Sequence, residues 1–533
     1  MKSNKIALLI AVFTLMLYKS NGQYLNPVLS KAPFNWFNLD YNEDGVLGVS
    51  TERAYREILN KKKAHPVIVA IIDSGVDTEH EDLKQTIWVN TAEIPNNGID
   101  DDQNGYVDDI HGWDFLGSAN GVDIQYESFE ITREYARLKP QYEHFTVTST
   151  MSASERQGYE MFKNVRTKYE AKWAEYANQG PFVIKLYERY REAKSFLQGY
   201  WQVDEVDNRV LANINESSAV ELQNAKKVMD LLPQIGQSET VLKEGYDYYT
   251  NQYNYGLNMT YNPRSIIGDK LNDVEDRFYG NNEVKGPDAQ HGTHVAGIIA
   301  ANRSNELGVL GVANNVKIMV LRAVPDGDER DKDVANAIYY AVNNGAKVIN
   351  MSFGKVLSPQ KYMVDAAVKY AAEHDVLIVH AAGNENENND KAESFPSKKM
   401  LDGTIAPNWI EVGASSWRNA PNVVADFSNY GNKTVDIFAP GVDVNSSVEN
   451  SKYQELSGTS MAAPVVAGVA AVLFSYYPEL GALDIKRLLL ESAIKPRAKM
   501  FQPGTSKLVD FSSLSVSGGI INIYQAVKKI EKL

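Results

Sequence analysis

Three short segments of this chain hold residue types from which a nucleophilic centre is built. The first is Val67-Ile68-Val69-Ala70-Ile71-Ile72-Asp73-Ser74-Gly75. A continuous β-branched run reads as a buried strand, and it ends in an aspartate followed by a Ser-Gly pair suited to a tight turn. In open α/β sheets, active sites gather beyond the carboxyl ends of strands, where this carboxylate is expected. Taken alone, such an aspartate is as readily the cap of a following helix. The second segment, His291-Gly292-Thr293-His294-Val295-Ala296-Gly297, sets an imidazole at the start of a helix whose small residues permit close approach to a sheet. His291 and His294 also have the spacing of a metal-ligand pair, yet no third histidine or carboxylate nearby completes a zinc set. His294 reads instead as a packed helix residue. The third segment, Ser457-Gly458-Thr459-Ser460-Met461-Ala462-Ala463-Pro464, places a hydroxyl at the N-terminus of an apolar helix. Backbone N–H groups and the positive dipole end there stabilise a developing oxyanion, although an ordinary serine N-cap has the same local pattern.

Together and in this order, the three segments resemble the Asp, His and Ser blocks of the subtilisin-like serine peptidases. The order differs from the Ser, acid, His order of α/β-hydrolases, and Ser460 is followed by Met-Ala rather than by the end of a Gly-x-Ser-x-Gly motif. The resemblance implies that Ser460 attacks the scissile carbonyl, that His291 takes its proton, and that Asp73 orients the imidazole. Ala381-Ala382-Gly383-Asn384 resembles the segment that carries the family's oxyanion-hole asparagine, which implies that role for Asn384 beside the Ser460 backbone N–H. Ser352-Phe353-Gly354 resembles the segment that pairs with extended substrate. Ser352, Phe353, Gly354 and Gly383 are therefore the implied substrate-binding residues, and polypeptides held by β-augmentation are the implied partner. Asp426–Gly431 and Asp436–Gly441 also read like family core segments. No cofactor is implied for catalysis. Because His291 must be neutral to act as base, activity is expected to rise through about pH 6–7, the reference histidine range. Two other functions fit parts of the pattern. A catalytically silent peptide-binding protein would keep the cleft, but has no physical need for Asp73, His291, Ser460 and Asn384 together. An acyl transferase would use the same triad and pass the acyl group to an amine.

The elements that must hold these residues follow from periodicity. β-branched runs at Val67–Ile72, Lys317–Val324, Lys347–Phe353, Val376–Ala381 and Ile410–Val412 alternate with segments of helical period such as Asp331–Asn344 and Gln360–His374. This predicts an α/β fold, a mostly parallel central sheet with helices on both faces. The stretch from about 120 to 270 differs, being charged and tyrosine-rich. Apolar stripes at Phe162–Tyr176, Val183–Leu197, Val220–Leu232 and Val241–Tyr253, separated by Gly, Pro and Asn-rich breaks, predict an insertion of four helices packed as hairpins. The insertion is expected to be either a substrate-selecting wall or a peripheral bundle. The expected organisation is a signal peptide at 1–22, an N-terminal extension at 23–64, a peptidase domain at 65–490 interrupted by the insertion, and a C-terminal segment at 491–533 packed on the core.

Lys2 and Lys5 precede an apolar run from Ile6 to Tyr18, with Ser20, Asn21 and Gly22 after it, the pattern of a secretory signal. A secreted or periplasmic location is expected, with no membrane contact once the signal is removed and no other stretch long enough for a membrane helix. The chain of 533 residues has a formal net charge of -14 and no cysteine. The acidic balance argues against a nucleic-acid partner, and the missing thiols exclude disulfides and thiolate catalysis. Asp100, Asp102 and Asn104, with Gly105 at position six, Tyr106 at seven and Asp108 at nine, match the start of an EF-hand loop, whereas His111 stands where a bidentate Glu is expected. A structural Ca²⁺ on these residues is the expectation, in a shorter loop closed by Asp109.

Overall fold

The β-branched runs of the sequence become strands of one sheet. β1 (Val67–Asp73), β2 (Gly112–Asp114), β3 (Val316–Arg322), β4 (Val348–Met351), β5 (Leu377–Ala381), β6 (Trp409–Ser415) and β7 (Ile437–Pro440) lie in the order β2-β3-β1-β4-β5-β6-β7. Every neighbouring pair is parallel. The structure, a computed structural model, describes residues 30–145 and 152–532. The expected signal peptide lies outside the described residues. β2 escaped the sequence reading because three residues carry no periodicity to detect.

Successive side chains of a strand point to opposite faces, and β1 divides accordingly. Val67, Val69 and Ile71 enter a core with residues of the helices Gln290–Ala300 and Thr459–Tyr476. Ala70 and Ile72 pack instead with residues of the helices Asp331–Asn343 and Lys361–Glu373. Burial on both faces explains why the strands read as unbroken apolar runs. The helix Thr459–Tyr476 corrects one expectation, since by length and composition it could cross a membrane. It is 89% buried and packs under the sheet as a core helix.

The N-terminal extension folds onto the catalytic core. Trp36 and Phe37 are buried, and Trp36 Nε1 donates to the carbonyls of Val442 and Asp443 at 3.1 and 3.2 Å. The helix Thr51–Glu57 packs against the C-terminal helix Ile523–Ile530, and Asn522 Nδ2 donates to Ser50 Oγ at 2.7 Å. The two chain ends thus close one seam over the core.

The insertion contains the helices Glu130–Tyr142, Ala153–Trp201, Val220–Gln234 and Glu239–Asn251. The stripes at 162–176 and 183–197, expected as two helices broken at Gly180-Pro181, lie on one helix of 49 residues. An interior proline removes a helical hydrogen bond and usually ends or kinks the helix. Here neighbouring helices hold both halves. Phe162, Val165 and Tyr169 pack with Tyr135 and Leu138 of the first helix, and Tyr190, Ala193 and Leu197 pack with Leu222, Ala225 and Met229. Tertiary packing overrides the local breaker.

Candidate active site

Asp73 ends β1 and is buried, whereas the His291 side chain, at the start of the helix Gln290–Ala300, remains 39% exposed. His291 Nδ1 lies 2.7 Å from Asp73 Oδ1, which also accepts the Ser74 N–H at 2.8 Å. The acceptor carboxylate puts the proton on Nδ1 and leaves Nε2 as the free, reachable base. Gly292 makes this docking possible: a Cβ there would come 2.1 Å from the Gly75 carbonyl. Burial works to lower the His291 pKa, but the Asp73 charge and hydrogen bond, with a contribution from Asp288, raise it above the ordinary histidine value. His294 behaves oppositely. Burial pushes its pKa down to about 4, and its Nε2 donates to the Gln454 carbonyl at 2.9 Å, so it is a neutral packing residue.

Ser460 sits in the first turn of the helix Thr459–Tyr476. Its hydroxyl donates to the Ser352 carbonyl at 3.1 Å, and Ser352 Oγ donates to the Ser460 carbonyl at 2.9 Å. This reciprocal pair ties the helix that carries Ser460 to the end of β4. Among the described residues, His291 is not a hydrogen-bond partner of Ser460. Asn384 follows β5, and its side-chain oxygen accepts from the Thr459 N–H at 2.8 Å and from Thr459 Oγ1 at 3.0 Å. Because a backbone N–H can only donate, the amide orientation is fixed and Nδ2 is left free as a donor. Gly383, just before it, has φ +106°, and a Cβ would meet Asn429 Nδ2 at 2.4 Å, so the turn that presents Asn384 needs glycine.

Phe353, Gly354 and Gly383 line a pocket of 260 Å³ that opens beside Ser460 and Asn384. Ser352 acts from behind this wall, through its bonds to Ser460. Sequence reasoning missed His380 on β5. Its Nε2 lies 2.9 Å from the Phe353 carbonyl and its Nδ1 3.0 Å from Glu411 Oε1, so it braces the pocket wall from beneath. A histidine in an otherwise apolar strand was the available signal. The root of the insertion reaches the same rim. Lys355 Nζ is bonded to Glu130 Oε2 at 2.9 Å, and Lys168 Nζ donates to the Val356 carbonyl at 3.1 Å. A second cavity of 470 Å³ lies between the long helix and the rim, lined by Met161, Lys168, Val356, Leu357 and Phe395.

The acidic loop rearranges the expected ligand set. Carboxylate oxygens of Glu93, Asp100 and Asp102 lie within 4.8 Å of one another. Asp108, at the expected position nine, instead accepts the N–H groups of Asn97 at 3.1 Å and Gly98 at 2.9 Å, which turns it toward that neighbouring turn. The Tyr106 ring is buried against Trp113 and Tyr340. Asn104 Nδ2 donates to Asp102 and Asp109, so its amide serves within the loop. Glu93, outside the motif, was not visible from spacing. Three hard carboxylate donors at this separation suit a calcium ion.

The model of the subtilase family matches residues 64–512. A thermophilic serine proteinase of Bacillus sp. (strain AK1) is 41% identical over 186 residues, 35% of this chain and 42% of that protein. The major intracellular serine protease of Bacillus subtilis (strain 168) is 36% identical over 206 residues, 38% of this chain and 60% of that protein. Subtilisin BL of Lederbergia lenta is 38% identical over 204 residues, 38% of this chain and 70% of that protein. The matched stretches span less than two thirds of the first two relatives. A solved structure, the prenylagaramide maturation protease PagA, is 30% identical, with a TM-score of 0.36, over 45% of this chain and 81% of that one.

Proposed function

Because the chain belongs to the subtilase family, we propose that it is an exported serine endopeptidase that cleaves polypeptides bound in extended form. The observation that carries this reading is the 2.7 Å contact between His291 Nδ1 and Asp73 Oδ1, which leaves Nε2 to act as the base on a side chain that is 39% exposed. Ser460 at a helix N-terminus and the oriented Asn384 amide support it. Export rests on Lys2, Lys5 and the apolar run that follows them.

In this reading the Ser460 hydroxyl leaves the Ser352 carbonyl and gives its proton to His291 Nε2 as it attacks the substrate carbonyl. The freed Ser352 carbonyl, together with the backbone of Gly354, which has no backbone partner among the described residues, offers edge positions for an extended chain. Negative charge develops on the substrate oxygen, which Asn384 Nδ2 and the Ser460 N–H stabilise. His291, now charged and held by ionised Asp73, protonates the leaving amine. Water enters, gives a proton to the same nitrogen and releases the acyl group from Ser460.

A fluorophosphonate probe tests the activated serine. Labelling should map to Ser460 and vanish in Ser460→Ala, with peptide hydrolysis falling roughly 10⁶-fold in kcat. A folded wild-type protein that takes no label overturns the reading.

We also propose that Glu93, Asp100 and Asp102 hold a structural calcium ion, an assignment that rests on their donor chemistry. Excess chelator should lower the melting temperature, and Asp102→Asn should remove that sensitivity. An unchanged Tm refutes the site.

A further inference from the structure

Resting on the peptidase reading, we propose that the pocket beside Ser460 selects a basic side chain, lysine or arginine, on the residue whose carbonyl is attacked. A carbonyl set between Ser460 and Asn384 has its side chain next to the 260 Å³ pocket, which both residues line. Phe353, Ala381, Val356 and Ala392 give that pocket apolar surface for a methylene stem. Glu385, Glu387 and Glu393 also line it, and all three are solvent-exposed.

The balance of charge decides between ligands. The lining holds one cationic residue, Lys355, and its ammonium is already neutralised by buried carboxylates. It is buried against Glu130 Oε2 at 2.9 Å, Asp331 Oδ1 at 2.8 Å and the Glu329 carbonyl at 2.7 Å. Among the described residues, no lysine, arginine or histidine forms an ion pair with Glu385, Glu387 or Glu393. The turn that carries two of them is held in place. Asn429 Oδ1 accepts the N–H groups of Glu385 at 3.0 Å and Glu387 at 2.8 Å, while Asn429 Nδ2 donates to Glu385 Oε2 at 2.8 Å. One Glu385 oxygen and the Glu387 and Glu393 carboxylates are left to meet substrate. In a cleft with apolar walls, fields of like sign add. A guanidinium or ammonium gains ion pairs there, a neutral side chain gains burial alone, and an acidic one is repelled.

The test compares two peptide amide substrates that differ only in arginine against citrulline at the cleaved residue, so charge changes and shape does not. Fluorophosphonate labelling of the same preparation is read in parallel. Arginine should be favoured at least about tenfold in kcat/KM, with the ratio falling as salt rises. The double variant Glu387→Gln/Glu393→Gln should lower that ratio several-fold. Labelling accompanied by equal rates, or by a preference for citrulline, overturns the inference alone. Absence of labelling in folded protein overturns the peptidase reading and this inference with it.

Discussion

The catalytic core and the helical insertion solve the problem of burial in opposite ways. In the core, seven strands are covered on both faces, and polar groups at strand ends, such as Asp73 and Asn350, are wholly or almost wholly buried. The insertion is built round one long helix flanked by shorter ones, and its two apolar clusters are small, the near one rich in tyrosine and the far one mainly aliphatic. The near cluster includes Leu357 from the cleft rim, whereas the far cluster draws only on insertion residues. Aromatic side chains remain exposed along it, including Phe182, Phe196, Tyr200 and Tyr253. The contrast teaches where precision is needed. The proposed catalytic side chains Asp73, His291 and Ser460 stand at the ends of elements packed into the core, whereas the far end of the insertion arm packs, among the described residues, on the arm itself.

The largest effect that would sharpen this comparison lies in the core. Asn384→Ala should lower kcat about 10²–10³-fold with little change in KM, because its amide acts on charge that develops only in the transition state. An equal rise in KM would place the amide in ground-state binding instead. Next come paired deletions in the two regions. Ile71→Ala and Leu197→Ala each empty a fully buried site and should cost about 2–5 kcal/mol. The first should lower the cooperative melting transition along with activity. The second should make the arm sensitive to limited proteolysis while activity on short peptides is retained. Joint loss of both properties in Leu197→Ala would show that arm and core unfold as one unit.

The smallest effect concerns the base. The raised His291 pKa places the acid limb of kcat/KM above the ordinary histidine value, since only the neutral imidazole accepts the proton. Asp288 contributes to that rise, so Asp288→Asn should lower the pKa and move the limb to lower pH. A limb that stays in place would remove Asp288 from the electrostatics of the site.

Much of the core was legible in the sequence, and the reasons are physical. A strand buried on both faces must be apolar throughout, so β1, β3, β5 and β6 read directly as β-branched runs. Asp73, His291 and Ser460 stand where such runs and helices end, which made them visible as chemistry. The insertion was less legible. Gly180-Pro181 is a strong local breaker, yet a Cβ at Gly180 would meet the Tyr176 ring at 2.5 Å, so that surface is already packed. Local propensity lost to contacts that no window of sequence contains. Likewise the apolar helix Thr459–Tyr476 proved long enough to cross a membrane, against expectation, and its burial beneath the sheet makes it a core helix.

By itself the sequence determined the strand-and-helix alternation, the order of the three chemical segments and the residue types able to act, because these depend on local periodicity and side-chain chemistry. Tertiary structure decided what no spacing encodes. It placed His291 against Asp73 across 218 positions of chain and gathered Glu93 with Asp100 and Asp102. It also turned the Lys355 charge into the root of the insertion and left the carboxylates of the pocket without a cationic partner among the described residues. The His291–Asp73 and Lys355–Glu130 contacts join residues more than two hundred positions apart, and such distances are set by packing of the whole core.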